Sequence, residues 1–219
     1  VPAVALALAA ALALALVVDA ARGQVRLGTP GPDRLAATGT GGSAIHGDGG
    51  SDRIIGGPGP DRLYGDTGAD DILGRDGDDH AEGGSGDDEI HGGEGADTLV
   101  GGFGHDALDG GPGDDRADGG PGPDRIAGRD GNDVLHGGSG GDAIDGGEGD
   151  DTIHADSGPD RILARAGNDA VYVNNGTAVD TVDCGAGEDT IFINPYSRPG
   201  GISNSQALRQ GRIRECEHV

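Results

Sequence analysis

The chain has 219 residues, among them 48 glycines and 11 prolines, with 2% aromatics, no Trp, no Met and a formal charge of −24. That composition excludes an ordinary packed core, and the sign of the charge excludes nucleic acid as a partner. All 15 basic residues are arginine, and 39 Asp and Glu make divalent cations the natural partner.

In chain order, Val1 to Val18 is apolar, Ala/Leu-rich and uncharged. Residues 1–20 read as the apolar region of an export signal, with Val18 and Ala20 at the small-residue positions before a cut near Ala20–Ala21. A membrane anchor is the alternative, since such a length is borderline for a span. Residues 21–27 read as a linker.

A nonapeptide repeat follows. Gly47 to Tyr172 divides into fourteen units of nine without an insertion. The fourth position is Gly in all fourteen, the sixth is Asp in all fourteen, and the eighth is Ile, Leu or Val in twelve, with Ala81 and Ala117 as exceptions. Looser units occupy Gly28–Ala36 and Thr38–His46; two more, Asn175–Asp183 and Cys184–Phe192, follow a two-residue slip. An invariant Gly is expected where the backbone takes positive φ or meets another backbone. The second position accepts Asp48, Asp66, Arg75, Arg129, Asp156 and Arg165, so a side chain fits there. One aliphatic between variable neighbours predicts a three-residue strand with its middle side chain inward, leaving six residues for the turn. The stretch Arg75–Leu99 returns 54 residues later as Arg129–Ile153, six whole units on, which a disordered spacer has no reason to preserve.

These residues resemble the calcium-binding nonapeptide repeats of the RTX (repeats-in-toxin) family, Gly-Gly-x-Gly-x-Asp-x-aliphatic-x. Gly56–Tyr64 (GGPGPDRLY) and Gly83–His91 (GGSGDDEIH) match at every defined position, and the likeness runs from Gly28 to Phe192. The resemblance implies an all-β fold, a right-handed parallel β-roll over residues 28–192 with two nonapeptides per 18-residue coil. It implies several calcium ions between the turns of successive coils, held by the sixth-position carboxylates and by turn carbonyls. One edge of the roll would then present Asp52, Asp70, Asp88, Asp106, Asp124, Asp142 and Asp160. The other would present Asp61, Asp79, Asp97, Asp115, Asp133, Asp151 and Asp169. Asp33 and Asp189 match as well, while Ser43 replaces the Asp of its unit. The carbonyls would lie near Gly59, Gly68, Gly86, Gly95, Gly104, Gly122 and Gly140.

The energetics point the same way. Two aliphatics per coil are too few to offset the entropy of ordering eighteen residues. Coils stacked at ~4.8 Å also align like charges, which repel by about 1 kcal/mol per pair even in water. A dication with oxygen ligands turns that repulsion into a bridge.

The remaining signals are weaker. His91, His136 and His154 share the ninth position; the last two lie one coil apart and should stack, as a surface zinc pair or as solvated side chains. Arg34, Arg62, Arg125 and Arg161 follow Asp in Pro-Asp-Arg, with Arg53 and Arg116 in the same position; they offset charge or form a ligand stripe. Asn175-Gly-Thr matches a glycosylation acceptor. The tail, residues 193–219, leaves the repeat, carries Arg198, Arg209, Arg212 and Arg214, and reads as a cap on the last coil. Cys184 and Cys216 read as a disulfide stapling it, as suits an exported chain; two free thiols are the alternative.

Catalysis is not expected. There is no Walker lysine, no G-x-S-x-G, no HExxH, and too little sequence outside the roll for a catalytic core. An EF-hand lacks its Glu and flanking helices, and a collagen period would be three. The expectation is a calcium-binding secreted protein that folds on Ca2+ and acts as an extracellular or cell-envelope structural or adhesion module. Its partners would be calcium ions and a cell-surface or matrix component, with no membrane beyond the N-terminal segment. The alternative is a non-catalytic appendage of a larger secreted hydrolase or toxin.

Overall fold

The computed structural model describes residues 25–173, 180–193 and 213–214. The segment 1–20, Asn175, Cys216 and the tail other than Ile193 and the strand 213–214 lie outside the described residues.

Twenty strands run along the chain. The first ten are β1 (Val25–Leu27), β2 (Arg34–Ala36), β3 (Ala44–His46), β4 (Arg53–Ile55), β5 (Arg62–Thr67), β6 (Asp71–Asp76), β7 (His80–Ser85), β8 (Glu89–Glu94), β9 (Thr98–Phe103) and β10 (Ala107–Pro112). The second ten are β11 (Arg116–Asp118), β12 (Arg125–Asp130), β13 (Val134–His136), β14 (Ala143–Glu148), β15 (Thr152–His154), β16 (Arg161–Ala166), β17 (Ala170–Val173), β18 (Thr181–Asp183), β19 (Thr190–Ile193) and β20 (Ile213–Arg214). Odd strands form one 10-stranded parallel sheet and even strands another. Each coil gives one strand to each sheet, which is the expected parallel β-roll. Among the described residues no helix is long and apolar enough to cross a membrane.

Strand periodicity sets the interior. Residues two apart share a face, so the sixth and eighth positions of every unit point inward together. The eighth-position side chains stack in two columns. Ile45, Leu63, Ala81, Leu99, Ala117, Leu135, Ile153, Val171 and Ile191 form the column under the odd sheet, and Leu35, Ile54, Ile72, Ile90, Leu108, Ile126, Ile144, Ile162 and Val182 form the other. All are buried. Ala81 and Ala117 sit in one column on either side of Leu99.

The register is eighteen residues through the regular block, as in Leu108↔Ile126↔Ile144. It lengthens at both ends. Leu35 pairs with Ile54 across nineteen residues, and Val171 with Ile191 across twenty, absorbing the slips in the sequence.

Two expectations need correction. Val25–Leu27 is a strand paired with β3, not linker. Its inward residue is Arg26, opposite Ile45, where the pattern calls for an aliphatic. The ladder hydrogen bonds hold the strand without one, and a charge at an inward position of a terminal strand discourages further stacking. Second, nine of the strands are six residues long. After the first position the ladder resumes at the second and third, as in Asp66↔Gly84 and Thr67↔Ser85. The turn is therefore itself stitched between coils, and Gly68 donates its amide to the Ser85 carbonyl at 2.8 Å.

The fourth-position glycine has the expected reasons. Gly86 stands at φ +135°, and a Cβ there would lie 1.5 Å from the Gly68 carbonyl oxygen of the previous coil. The second position is left-handed too. Asp48, Asp66, Arg75, Arg129, Asp156 and Arg165 have φ between 61° and 90°. A side chain does fit there, but in a backbone conformation that costs a non-glycine residue roughly 1–2 kcal/mol.

The far edge of the even sheet is paired: β20 lies parallel to β18, with Val182 opposite Ile213 and Asp183 opposite Arg214. Cys184, directly after β18, is buried and disulfide-bonded.

Candidate metal centre

The sixth-position aspartates form two rows, one at each edge of the roll, because each lies two residues before an inward aliphatic. Asp52, Asp70, Asp88, Asp106, Asp124, Asp142 and Asp160 run along one edge, and Asp61, Asp79, Asp97, Asp115, Asp133, Asp151 and Asp169 along the other. All of them are 1–3% exposed. So many buried carboxylates demand an account of every polar atom.

Each carboxylate is half satisfied. The Asp88 amide donates to Asp106 Oδ1 at 2.9 Å, and the Asp106 amide to Asp124 Oδ1 at 2.8 Å. The other row runs the same way, Asp97 to Asp115 and Asp115 to Asp133, both at 2.8 Å. The aspartate carbonyl is used as well: Asp88 accepts from the Ala107 amide at 2.8 Å. Only Oδ2 is left. Among the described residues it is buried without a hydrogen-bond partner in fifteen aspartates, from Asp52 through Asp189.

These orphan oxygens share their surroundings. A Cβ on Gly83 would lie 2.3 Å from Asp88 Oδ2 and 2.7 Å from the Gly101 carbonyl oxygen of the next coil. Gly92 repeats this with Asp97 Oδ2 at 2.3 Å and the Gly110 oxygen at 2.7 Å. Carboxylate and carbonyl thus converge beside the first-position residue, which is glycine in twelve of the fourteen regular units. Hard oxygens from carboxylate and backbone are the donor set that Ca2+ takes. Among the described residues no three His, Cys, Asp or Glu side chains converge. Carbonyl oxygens must therefore complete any coordination sphere.

Burial dominates the protonation of these groups. It pushes Asp79, Asp88, Asp115, Asp142 and Asp151 up to about 7; the amide bond at Oδ1 pulls them down, and neighbouring carboxylates push them up again. Asp70, Asp106, Asp133 and Asp169 are raised by burial to about 6. For Asp106, the Asp88 amide lowers the value next, and the charges of Asp124 and Asp87 raise it.

The N-terminal end differs. Asp33 Oδ2 accepts from the Thr29 amide at 2.6 Å and from its hydroxyl at 2.8 Å. Asp61 Oδ2 accepts from the Gly57 amide at 2.5 Å. Both have spent on protein donors the oxygen that the other aspartates leave bare. Ser43, in the place of an Asp, hydrogen-bonds through its amide to Asp61 Oδ1.

Sequence reasoning missed Asp180. It is buried, accepts the Asp160 amide on Oδ1 at 3.1 Å, leaves Oδ2 bare, and is raised by burial to about 7. It extends the first row beyond Asp160, as Asp189 extends the second beyond Asp169. Its signal was the sixth position of Asn175–Asp183, hidden because that unit has Ala178 where Gly is expected.

A second pattern also went unread. Four of the six strained second-position side chains pair with ninth-position residues twenty earlier. Arg129 grips Asp109 through Nε at 2.9 Å and Nη2 at 2.6 Å, and Arg165 grips Asp145 at 2.8 and 2.6 Å. On the odd sheet, Asp66 meets His46 and Asp156 meets His136, both at 3.4 Å.

His136 and His154 do stack, with ring centroids 4.4 Å apart and planes 3° from parallel, and Tyr172 and Phe192 continue the ladder. Parallel stacked imidazoles aim their lone pairs side by side and not at a common point, so this pair gives no convergent zinc set. His91 lies on the even sheet beside Glu89 at 3.3 Å.

A family model described as the RTX calcium-binding nonapeptide repeat matches four times, at residues 46–81, 73–108, 109–144 and 145–179. A search of curated proteins returns no significant match. The matched segments span well over half of the chain, and the repeats of this family bind calcium. With a β-roll of matching period and two rows of half-satisfied buried aspartates, the chain belongs to the RTX calcium-binding nonapeptide repeat family.

Proposed function

We propose that this calcium-binding repeat module folds on Ca2+ and serves outside the cell as a structural or adhesion element. One observation carries the reading: fifteen buried Oδ2 atoms, in two rows, have no hydrogen-bond partner among the described residues. Buried polar atoms in native proteins are satisfied, and buried charges are paired or bind metal. A metal ion can serve a whole row at once, whereas the amides of the neighbouring aspartates are already spent on Oδ1.

The ions would be held by Oδ2 of Asp52, Asp70, Asp88, Asp106, Asp124, Asp142 and Asp160 on one edge, continued by Asp180. On the other edge they would be held by Asp79, Asp97, Asp115, Asp133, Asp151, Asp169 and Asp189. Turn carbonyls near Gly59, Gly68, Gly86, Gly95, Gly104, Gly122 and Gly140 would supply the remaining oxygens. Asp61 and Asp33 are the weakest members, because their second oxygen is engaged. Bound calcium supplies the positive charge that lets acidic coils stack.

The ligand register is tested by two variants in the same unit. Asp106→Ala removes an inward carboxylate with a bare Oδ2, whereas Asp109→Ala removes an outward one paired with Arg129. In calorimetric titration, Asp106→Ala is expected to lower calcium stoichiometry and weaken the neighbouring sites at least about tenfold, since even outer partners of a metal are worth about 10–100-fold. Asp109→Ala should titrate as the parent does. Equal titrations for the two variants contradict the register. The adhesive role is tested by pull-down from cell surfaces with calcium and with chelator; calcium binding without a partner leaves a scaffold or an ion store.

A further inference from the structure

On the outer face of the even sheet, three adjacent rows alternate with a two-coil period. The seventh-position row reads Ala107, Arg125, Ala143, Arg161. Beside it the ninth-position row reads Asp109, Ala127, Asp145, Leu163, and beyond that the second-position row reads Gly111, Arg129, Gly147, Arg165. The small residues open a cleft of about 330 Å3, floored by Ala107, Ala127 and Ala143.

The charges around this cleft are not equivalent. Asp109 and Asp145 are neutralised by the bidentate grip of Arg129 and Arg165, and Asp109, Arg129 and Asp145 line one side of the cleft. Glu89, at one end, lies 3.3 Å from His91. Arg125 and Arg161, on the opposite side, are exposed and make no ion pair among the described residues. On a chain of net charge −24, two cations without acid partners on one apolar floor are a local reversal of sign.

Their spacing is fixed by the sheet. Two strand steps place Arg125 and Arg161 roughly 10 Å apart along the roll axis. The guanidinium fork binds carboxylate or sulfate bidentately. A linear glycan bearing one anionic group on every second sugar repeats its charge at a similar rise, and its neutral intervening sugar would lie over Ala143.

The geometry points to this cleft as a docking site for an extended acidic polysaccharide, its alternate charges held by Arg125 and Arg161. The inference rests on the reading of the roll as a calcium-loaded extracellular module. Each bound dication removes two negative charges from the field that a polyanion must cross.

The test uses the full chain in millimolar calcium and immobilised hyaluronate, which has one carboxylate per disaccharide, with neutral dextran and polyglutamate as comparators. The parent should be retained on hyaluronate and not on dextran. Arg125→Ala/Arg161→Ala should lower affinity roughly tenfold. Arg62→Ala/Arg116→Ala, which removes two exposed arginines from the opposite sheet, should leave it unchanged. Absence of hyaluronate binding by the parent overturns the proposal, as does equal loss in both double variants. Tighter binding to polyglutamate also overturns it and makes the partner an acidic peptide. Calcium titration of all three proteins by circular dichroism separates the failures. A parent that ignores calcium sinks the module reading itself, whereas one that takes up calcium but no hyaluronate sinks this proposal alone.

Discussion

Gly86→Ala is expected to destabilise the calcium-loaded roll by about 4 kcal/mol or more, at the upper end for single substitutions. Two effects combine there. The residue stands at φ +135°, and its new Cβ would fall 1.5 Å from the Gly68 carbonyl oxygen. That contact is backbone against backbone, so no side-chain rotation relieves it. The coils would have to part, and the turn hydrogen bond from Gly68 to the Ser85 carbonyl, 2.8 Å long, would go with them. Gly141→Ala is the matched control. A Cβ there meets only Pro159, at 3.5 Å, and the position requires no positive φ. It should be neutral or stabilising by up to about 1 kcal/mol, through the reduced freedom of the unfolded chain. Denaturant midpoints at saturating calcium measure both.

Acidification is expected to act in opposite directions on the ion-free and the calcium-bound chain. In the ion-free fold, burial raises Asp79, Asp88, Asp115, Asp142, Asp151 and Asp180 to about 7, and Asp70, Asp106, Asp133 and Asp169 to about 6. An unfolded Asp titrates near 3.9. Between about pH 4 and 7 the folded state therefore binds more protons than the unfolded one, and its stability falls as pH rises. Without calcium the roll should be best formed near pH 4 to 5 and lost by pH 8. Calcium must displace these same protons, so its apparent affinity should rise with pH through 6 to 7. Circular dichroism of the chelated chain at pH 5 and pH 8, with calcium titrations at pH 6 and pH 8, follows both arms. A chelated chain with the same spectrum at pH 5 and pH 8 contradicts the burial of the carboxylates.

The fold was legible because a rigid period leaves little freedom. Once Asp and an aliphatic stand two apart in every nonapeptide, both must face inward, while two units per coil is what the resemblance to the RTX repeats implies and the eighteen-residue register bears out. The slips of one and two residues were visible as breaks in the count and appear as the longer pairings Leu35↔Ile54 and Val171↔Ile191. What escaped notice lay where one signal was missing but the backbone carried on. Asp180 was overlooked because its unit lacks the glycine, although the amide of Asp160 fixes its place. β1 reads as linker in the sequence because Arg26 stands where an aliphatic belongs, although ladder bonds do not depend on the side chain. The left-handed second position was disguised by residues that tolerate the strain, and its pairing with the ninth position is visible only after eighteen residues become one coil. Which oxygens of each aspartate are spent is a property of the stacked backbone, which no single nonapeptide displays.

The central claim is that, above the pH range in which the buried carboxylates hold protons, acidic coils attract one another only through a dication. Small-angle scattering of the full chain at pH 8, in chelator and in millimolar calcium, tests it most directly. The account predicts an expanded chain in chelator and a compact, rod-like particle once calcium is restored. A particle equally compact in both, with the metal shown to be gone, would contradict it.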